Sequence, residues 1–349
     1  MRLEPKPASS LAASILYPLG ALLATFVIAG LLVMAAGANP ISVFGLVLKG
    51  AAGSQFAILE TLTRATPLIF TGLAVAVAFR AKLWNIGAEA QLYIGATVTV
   101  ILGTGALPLP AIVLIPLLML AALLCGALLL AGPAWLKIRF GVDEVVTTLL
   151  LNFIVLLFVS MLLEGVLKDP MSLGWPQSAK VITEAQLPRI IAGKRLHYGF
   201  VIAVALAIAL WFVMKKTVLG YEMRAVGHNA GAARFLGMPV NGIVMKTALL
   251  SGGIAALGGF SEVAGLKGNL TLDLSPGFGY TGIVVAMLAM LNPIGVIFSA
   301  IFVAGIFVGA AAMSRAAGVP SYIADVIVAT SLLTMVTAIM LSRYRIRWR

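Results

Sequence analysis

The length of its uncharged apolar runs constrains this chain most. They are Pro7–Leu48, Ala65–Phe79, Ala90–Leu136, Val145–Leu163, Tyr198–Met214, Thr247–Ser261, Leu274–Ser314 and Val326–Ser342. None alternates apolar with polar residues. A membrane-spanning helix needs about 20 mostly apolar residues, whereas a spanning β-strand needs about 10 in alternation. The runs therefore predict helices. The two longest central runs must each hold two, because about 40 residues of helix would extend about 60 Å. Composition agrees: 61% of residues are hydrophobic, 10% are charged, and the mean hydropathy is +1.09. Soluble domains carry about 25% charged residues, so a water-soluble fold of 349 residues would lack polar surface. A soluble enzyme, a disordered chain and a secreted disulfide scaffold are excluded.

The expected fold is all-α, a polytopic membrane helix bundle of about ten transmembrane helices in a single transmembrane domain over 1–349. The helices are placed at 11–36, 59–79, 86–104, 108–136, 143–166, 199–214, 242–262, 278–291, 294–313 and 323–341. Several are broken. Ala81–Gly87 interrupts the second and third, and Asn292-Pro293 separates the eighth from the ninth. Irregular backbone at membrane depth survives only inside protein or beside a watery cavity. With both termini cytoplasmic, 15 of the 24 Lys and Arg residues fall on the inner side, from Arg2 and Lys6 to Arg343, Arg345, Arg347 and Arg349. That is the expected positive-inside bias, and it accounts for the net charge of +12 without nucleic acid.

Two loops are long enough to hold structure. The outer loop, 168–198, contains Pro170, Pro176 and Pro188 and is expected to cap the pathway. In the inner loop, 215–241, Thr217–Val226 predicts one helix. Asn229 is suited to cap a second at Ala230–Leu236, which Gly237 and Pro239 end. A cytoplasmic helix–turn–helix of this kind is a docking element.

No catalytic motif is present. There is no phosphate-binding G-x-x-x-x-G-K-[ST], no H-E-x-x-H and no G-x-S-x-G. Cys125 stands alone in an apolar run, and His197 and His228 make no ligand pair with it. Asp143 and Glu144 suit the first turn of the fifth helix, and Asp325 that of the tenth, begun near Pro320-Ser321. Asn85, Glu89 and Gln91 form a polar cluster between apolar runs. It is either a pathway-lining or gating element, or a salt bridge from Glu89 to Arg80 or Lys82 that fixes the broken helix. Asn152 is expected to join helices, and with Asn292 completes the candidate pathway residues. Trp84 and Trp211 suit interface anchoring. The glycines of Ser251-Gly252-Gly253 and Gly258-Gly259 suit close helix packing.

Four segments carry a family resemblance: Arg64–Gly95 (RATPLIFTGLAVAVAFRAKLWNIGAEAQLYIG), Gly141–Asn152 (GVDEVVTTLLLN), Gly220–Gly237 (GYEMRAVGHNAGAARFLG) and Gly277–Gly295 (GFGYTGIVVAMLAMLNPIG). Together they resemble permease subunits of bacterial ABC importers of the ribose and branched-chain amino acid type, in the nucleoside and simple-sugar branch. The resemblance implies that the inner loop docks into a separate ATPase subunit through Arg224, Gly227, Asn229, Ala232, Ala233, Phe235 and Gly237. Importers of this class carry E-A-A-x-x-x-G there, and Gly231 stands in place of the glutamate. Also implied are a second permease chain, identical or different, and an extracytoplasmic binding protein that delivers a small polar solute. The chain itself would bind no cofactor, since ATP and Mg²⁺ belong to the partner ATPase, and would sit in the bacterial inner membrane. A secondary transporter driven by H⁺ or Na⁺ through Glu89 is the competing reading.

Overall fold

In lipid, a helix satisfies all its backbone groups internally, and the apolar runs adopt that solution in the computed structural model. It describes residues 2–5, 11–35, 37–317 and 322–347. Lys6, Arg349 and the Pro320-Ser321 start expected for the last helix lie outside these residues. In order, the helices are α1 (Leu11–Ala35), α2 (Pro40–Ala52), α3 (Gln55–Arg80), α4 (Ala88–Gly103), α5 (Ala111–Phe140), α6 (Glu144–Glu164), α7 (Gly199–Lys216), α8 (Val218–His228), α9 (Ala230–Phe235), α10 (Val240–Glu262), α11 (Phe278–Leu288), α12 (Pro293–Ala317) and α13 (Ile323–Arg343). Among the described residues, the one regular pairing of strands joins β1 (Arg2–Pro5) to β2 (Tyr344–Arg347) in antiparallel fashion, so these two segments lie side by side.

Each of the ten expected segments is helical, but the number of spans is corrected. Among the described residues, six helices are long and apolar enough to cross a membrane: α3, α5, α6, α7, α10 and α12. A seventh span results if α1 and α2, bent by 115°, count as one. For α4 and α11 the physical reason is length. The 16 residues of α4 and 11 of α11 give about 24 and 17 Å of helix, short of the roughly 30 Å hydrocarbon layer. The sequence reading left 37–58 without a helix, and α2 forms there. Asn39 caps it by accepting the Ile41 N–H at 3.0 Å, with Pro40 in the first turn.

The chain packs as two compact units, residues up to 61 with those from 301, and residues 62–300. In the first, α1 packs along α13, and the Thr25 and Thr334 hydroxyls meet at 2.8 Å. In the second, α10 packs on α5 and α4. A Cβ at Gly252 would overlap the Gly126 carbonyl, and one at Gly259 the Leu92 carbonyl, so the expected close packing is present. Burial separates the helices by role. The most apolar stretches of α3 and α10 are 89% and 78% buried, whereas those of α5, α6 and α7 are 28%, 22% and 28% buried. The first two are core, and the other three present apolar side chains outward as lipid-facing helices do.

The loop at 168–198 is stitched down by backbone hydrogen bonds. Ser178 N–H donates to Leu270 at 3.0 Å, Val181 to Gly268 at 2.8 Å, Leu187 to Ala264 at 2.7 Å and Ile182 to Gly103 at 2.8 Å. Ala264 belongs to a single π turn, Val263–Lys267, that ends α10.

Candidate functional site

At residues 81–87 the helical ladder stops, so the polar groups there need other partners. One face of α6 supplies them. Glu144, Thr148 and Asn152 recur every four residues and therefore share a side of the helix. Glu144 Oε1 accepts the Trp84 N–H at 3.2 Å and pairs with Lys137. Thr148 Oγ1 accepts the Ile86 N–H at 3.2 Å. Asn152 accepts the Ala90 N–H at 2.9 Å and donates to the Ile86 carbonyl at 3.0 Å and the Tyr280 hydroxyl at 3.0 Å. Glu144 thus does more than complement the helix dipole, whereas Asp143 is the cap expected, accepting the Val145 N–H at 2.8 Å. Asn152 joins three elements: α6, α4 and α11.

The other side of the break holds a paired amide. Asn85 Nδ2 donates to Gln91 Oε1 at 2.9 Å, and Gln91 Nε2 returns a bond to Asn85 Oδ1 at 2.9 Å. Asn85 also donates to Ser251 Oγ at 2.9 Å, which donates on to the Ala74 carbonyl at 2.7 Å. All three side chains are fully buried. Such a network is stabilising only when every member is satisfied.

Glu89 does not form the salt bridge that the sequence allows. Its Oε2 accepts the Gly279 N–H at 2.6 Å, in the first turn of α11, where a negative charge is favoured. A Cβ at Gly279 would overlap the Glu89 backbone nitrogen, so only glycine permits this approach. Arg80 turns instead to the Leu291 carbonyl at 3.4 Å. Thr71 Oγ1 reaches the Phe278 carbonyl at 3.0 Å, and the Tyr93 hydroxyl donates to Leu272 at 2.6 Å. Glu89 is 3% exposed, and Asn85, Gln91 and Asn152 are closed off from water altogether. Asn292 stands apart. It is exposed, and caps α12 by accepting the Ile294 N–H at 3.1 Å.

The inner helix pair is built differently. Thr217 begins α8 as its N-cap, and Gly220, Met223, Val226 and Gly227 form its buried face. Asn229 accepts the Ala232 N–H at 3.0 Å and starts α9, as the sequence predicts. Gly237, at φ +80°, follows its end. Ala233 is buried, while Ala232, Phe235 and Gly237 are exposed. Phe235 is 92% exposed and Leu236 71%. Arg224 is held by its donation to the Met214 carbonyl. A Cβ at Gly227 would overlap the Arg80 carbonyl oxygen, so α8 rests directly on the end of α3.

The family described as "Branched-chain amino acid transport system / permease component" matches residues 57–342. The chain belongs to this family. It is 37% identical to the glucose ABC transporter permease protein TsgB13 of Haloferax volcanii over 94% of this chain and 89% of that one. It is 35% identical to the guanosine ABC transporter permease protein NupP of Bacillus subtilis, covering 91% and 92% of the two chains. The nucleoside ABC transporter permease protein NupB of Lactococcus lactis is 29% identical over 90% and 88%. The chain is therefore an ABC transporter permease, a multi-pass protein of the cell membrane and a transport subunit rather than an enzyme.

The sequence reading missed several residues of this permease that the structure brings into the site: Thr71, Tyr93, Thr148, Ser251, Gly279 and Tyr280. For Thr148 the signal was present, since Glu144, Thr148 and Asn152 repeat every four residues through an otherwise apolar helix.

Proposed function

We propose that this permease forms the pathway of an ATP-driven importer for a small polar solute, a nucleoside or a simple sugar, received from an extracytoplasmic binding protein. It works by alternating access with a second permease chain. ATP and Mg²⁺ act on the partner ATPase subunits, which dock on α8 and α9. The observation that carries this reading is the exposure of Phe235 and Leu236 on a capped helix pair. Exposed aromatic side chains of this kind are typical anchors of protein interfaces. The solute class is supported by the relatives named for glucose, guanosine and nucleosides. A cytoplasmic location for both termini is supported by the pairing of β1 with β2 and by the excess of Lys and Arg on that side.

In this reading the broken-helix core positions α4 and α11, and its side chains serve the protein rather than the solute. Asn85, Gln91 and Asn152 already have protein partners. Glu89, on which an ion-driven mechanism would depend, is held by the Gly279 N–H. Movement of α8 reaches this core through Gly227, Arg80 and the Leu291 carbonyl.

The test is capture of the tagged permease from membranes, with its co-purifying subunits, followed by reconstitution. An ATPase subunit should accompany it, and ATP hydrolysis should drive uptake of labelled guanosine or glucose. Solute uptake that persists without ATPase and follows an imposed H⁺ or Na⁺ gradient would refute the reading.

A further inference from the structure

A cavity of about 300 Å³ opens among the ends of α3, α7 and α8 and the α11–α12 turn. It is lined by Arg80, Trp211, Met214, Lys215, Arg224, Asn292 and Pro293. Three cations therefore converge on one small volume. Among the described residues, none of the three lies within ion-pairing distance of a carboxylate. Their protein contacts leave their charge uncompensated. Arg80 donates to the Leu291 carbonyl, Arg224 to the Met214 carbonyl, and the Lys215 ammonium lies 5.1 Å from the Trp211 ring centre. Like charges gathered this closely repel unless an anion lies between them.

The position of the cavity says which anion. It sits at the end of α7, a helix long and apolar enough to cross a membrane, whose exposed Val201, Ile208 and Phe212 suit contact with acyl chains. Trp211 and Lys215 have the amphipathic character of interface residues. We infer that this cavity binds the phosphate headgroup of an anionic phospholipid from the inner leaflet, with the acyl chains lying along α7. Basic pockets between membrane helices on the cytoplasmic side suit such headgroups. The volume accommodates a phosphodiester headgroup and leaves no space for chains, which must stay outside. The bound lipid clamps α8 to the ends of α3 and α7, so it stabilises the seat of the helix pair. The inference rests on the proposed cytoplasmic placement of this end.

The test titrates the purified full-length permease, without ATPase, with short-chain phosphatidylglycerol, phosphatidylcholine of equal chain length and inorganic phosphate. Binding is read as lipid adducts in native mass spectrometry and as a shift in thermal unfolding. Phosphatidylglycerol should bind and stabilise where phosphatidylcholine does not. Lys215→Gln, an exposed position whose unliganded stability should stay unchanged, should weaken binding about fivefold, and Lys215→Arg should retain it. Arg80→Gln should weaken it at least as much. Equal retention of the two lipids, or indifference to both Gln variants, would overturn the inference. An equal shift with inorganic phosphate would assign the cavity to a free anion and would also overturn it. Capture of the ATPase is measured separately, so failure of the coupling reading and failure of the lipid site are distinguishable.

Discussion

The broken-helix core at 81–93 and the helix pair at 218–235 both use Asn, Thr and Gly, yet to opposite ends. In the core, side-chain amides and hydroxyls serve distant backbone. Asn152 reaches α4 and α11 across more than 60 residues of sequence, and Ser251 reaches Ala74. In the helix pair, the side chains of Thr217 and Asn229 bond only within four residues of themselves. Local caps let α8 and α9 keep their shape with one face in solvent, where Phe235 and Leu236 stand exposed. The core is arranged to hold a break in the bundle, and the helix pair to be met by another protein. They touch at Gly227 and Arg80.

Removing the core's central tie should have the largest effect. Asn152→Ala strips partners from the buried Ala90 N–H and from the Ile86 carbonyl, at a cost of about 3 kcal/mol or more. The purified variant should melt far below the parent and transport nothing. A melting temperature equal to the parent's would break the contrast between the two regions.

Phe235→Ala should act in the opposite manner. The side chain has almost no packing to lose, so permease stability should change by no more than about 0.5 kcal/mol. ATPase affinity should fall at least tenfold, as expected for an interface anchor. Equal losses of stability and affinity would show that α9 is a structural element after all.

Gly227→Ala tests the point of contact. The added methyl must push α8 away from the Arg80 carbonyl. Assembly with the ATPase should persist while solute uptake per ATP hydrolysed drops several-fold. An unchanged ratio would remove this contact from the coupling route.

The smallest effect belongs to the outer loop. Burial, with Arg189 nearby, pushes the His197 imidazole down to about 4 from 6.5. Its Nδ1 accepts the Gly199 N–H at 3.1 Å, a bond that the neutral ring makes. A depressed histidine stabilises the fold above the unfolded value, and that stability is lost as pH falls from 6.5 toward 4. Amide exchange in 178–199, corrected for intrinsic rate, should accelerate between pH 7 and 5 while α8 and α9 stay constant. Equal behaviour in the two regions would contradict the assignment.

How far these regions were legible in the sequence differs for the same reason. The helix pair is specified by neighbours, so Asn229, Gly237 and Pro239 predicted its turn and its end from local rules. Membrane helices were legible from run length, and the Ala81–Gly87 break from its polar residues. The partners of that break were not, because they come from α6, α10 and α11, more than 50 residues away. Uniformly apolar helices also carry no amphipathic phase to show which side of α6 faces inward. Span number failed on geometry: α4 and α11 have the composition of spanning helices without the length. Glu89 looked like half of an ion pair because Arg80 and Lys82 are near it in sequence, whereas the fold brings a helix N-terminus closer.

The most direct test is the affinity of the purified ATPase subunit for this permease, measured in nanodiscs for the parent, for Phe235→Ala with Leu236→Ala, and for Trp84→Ala, an exposed control outside the helix pair. The account predicts that the double variant binds at least tenfold more weakly with unchanged melting, and that the control binds like the parent. Parent-like binding by the double variant would mean that α8 and α9 are not where the ATPase docks.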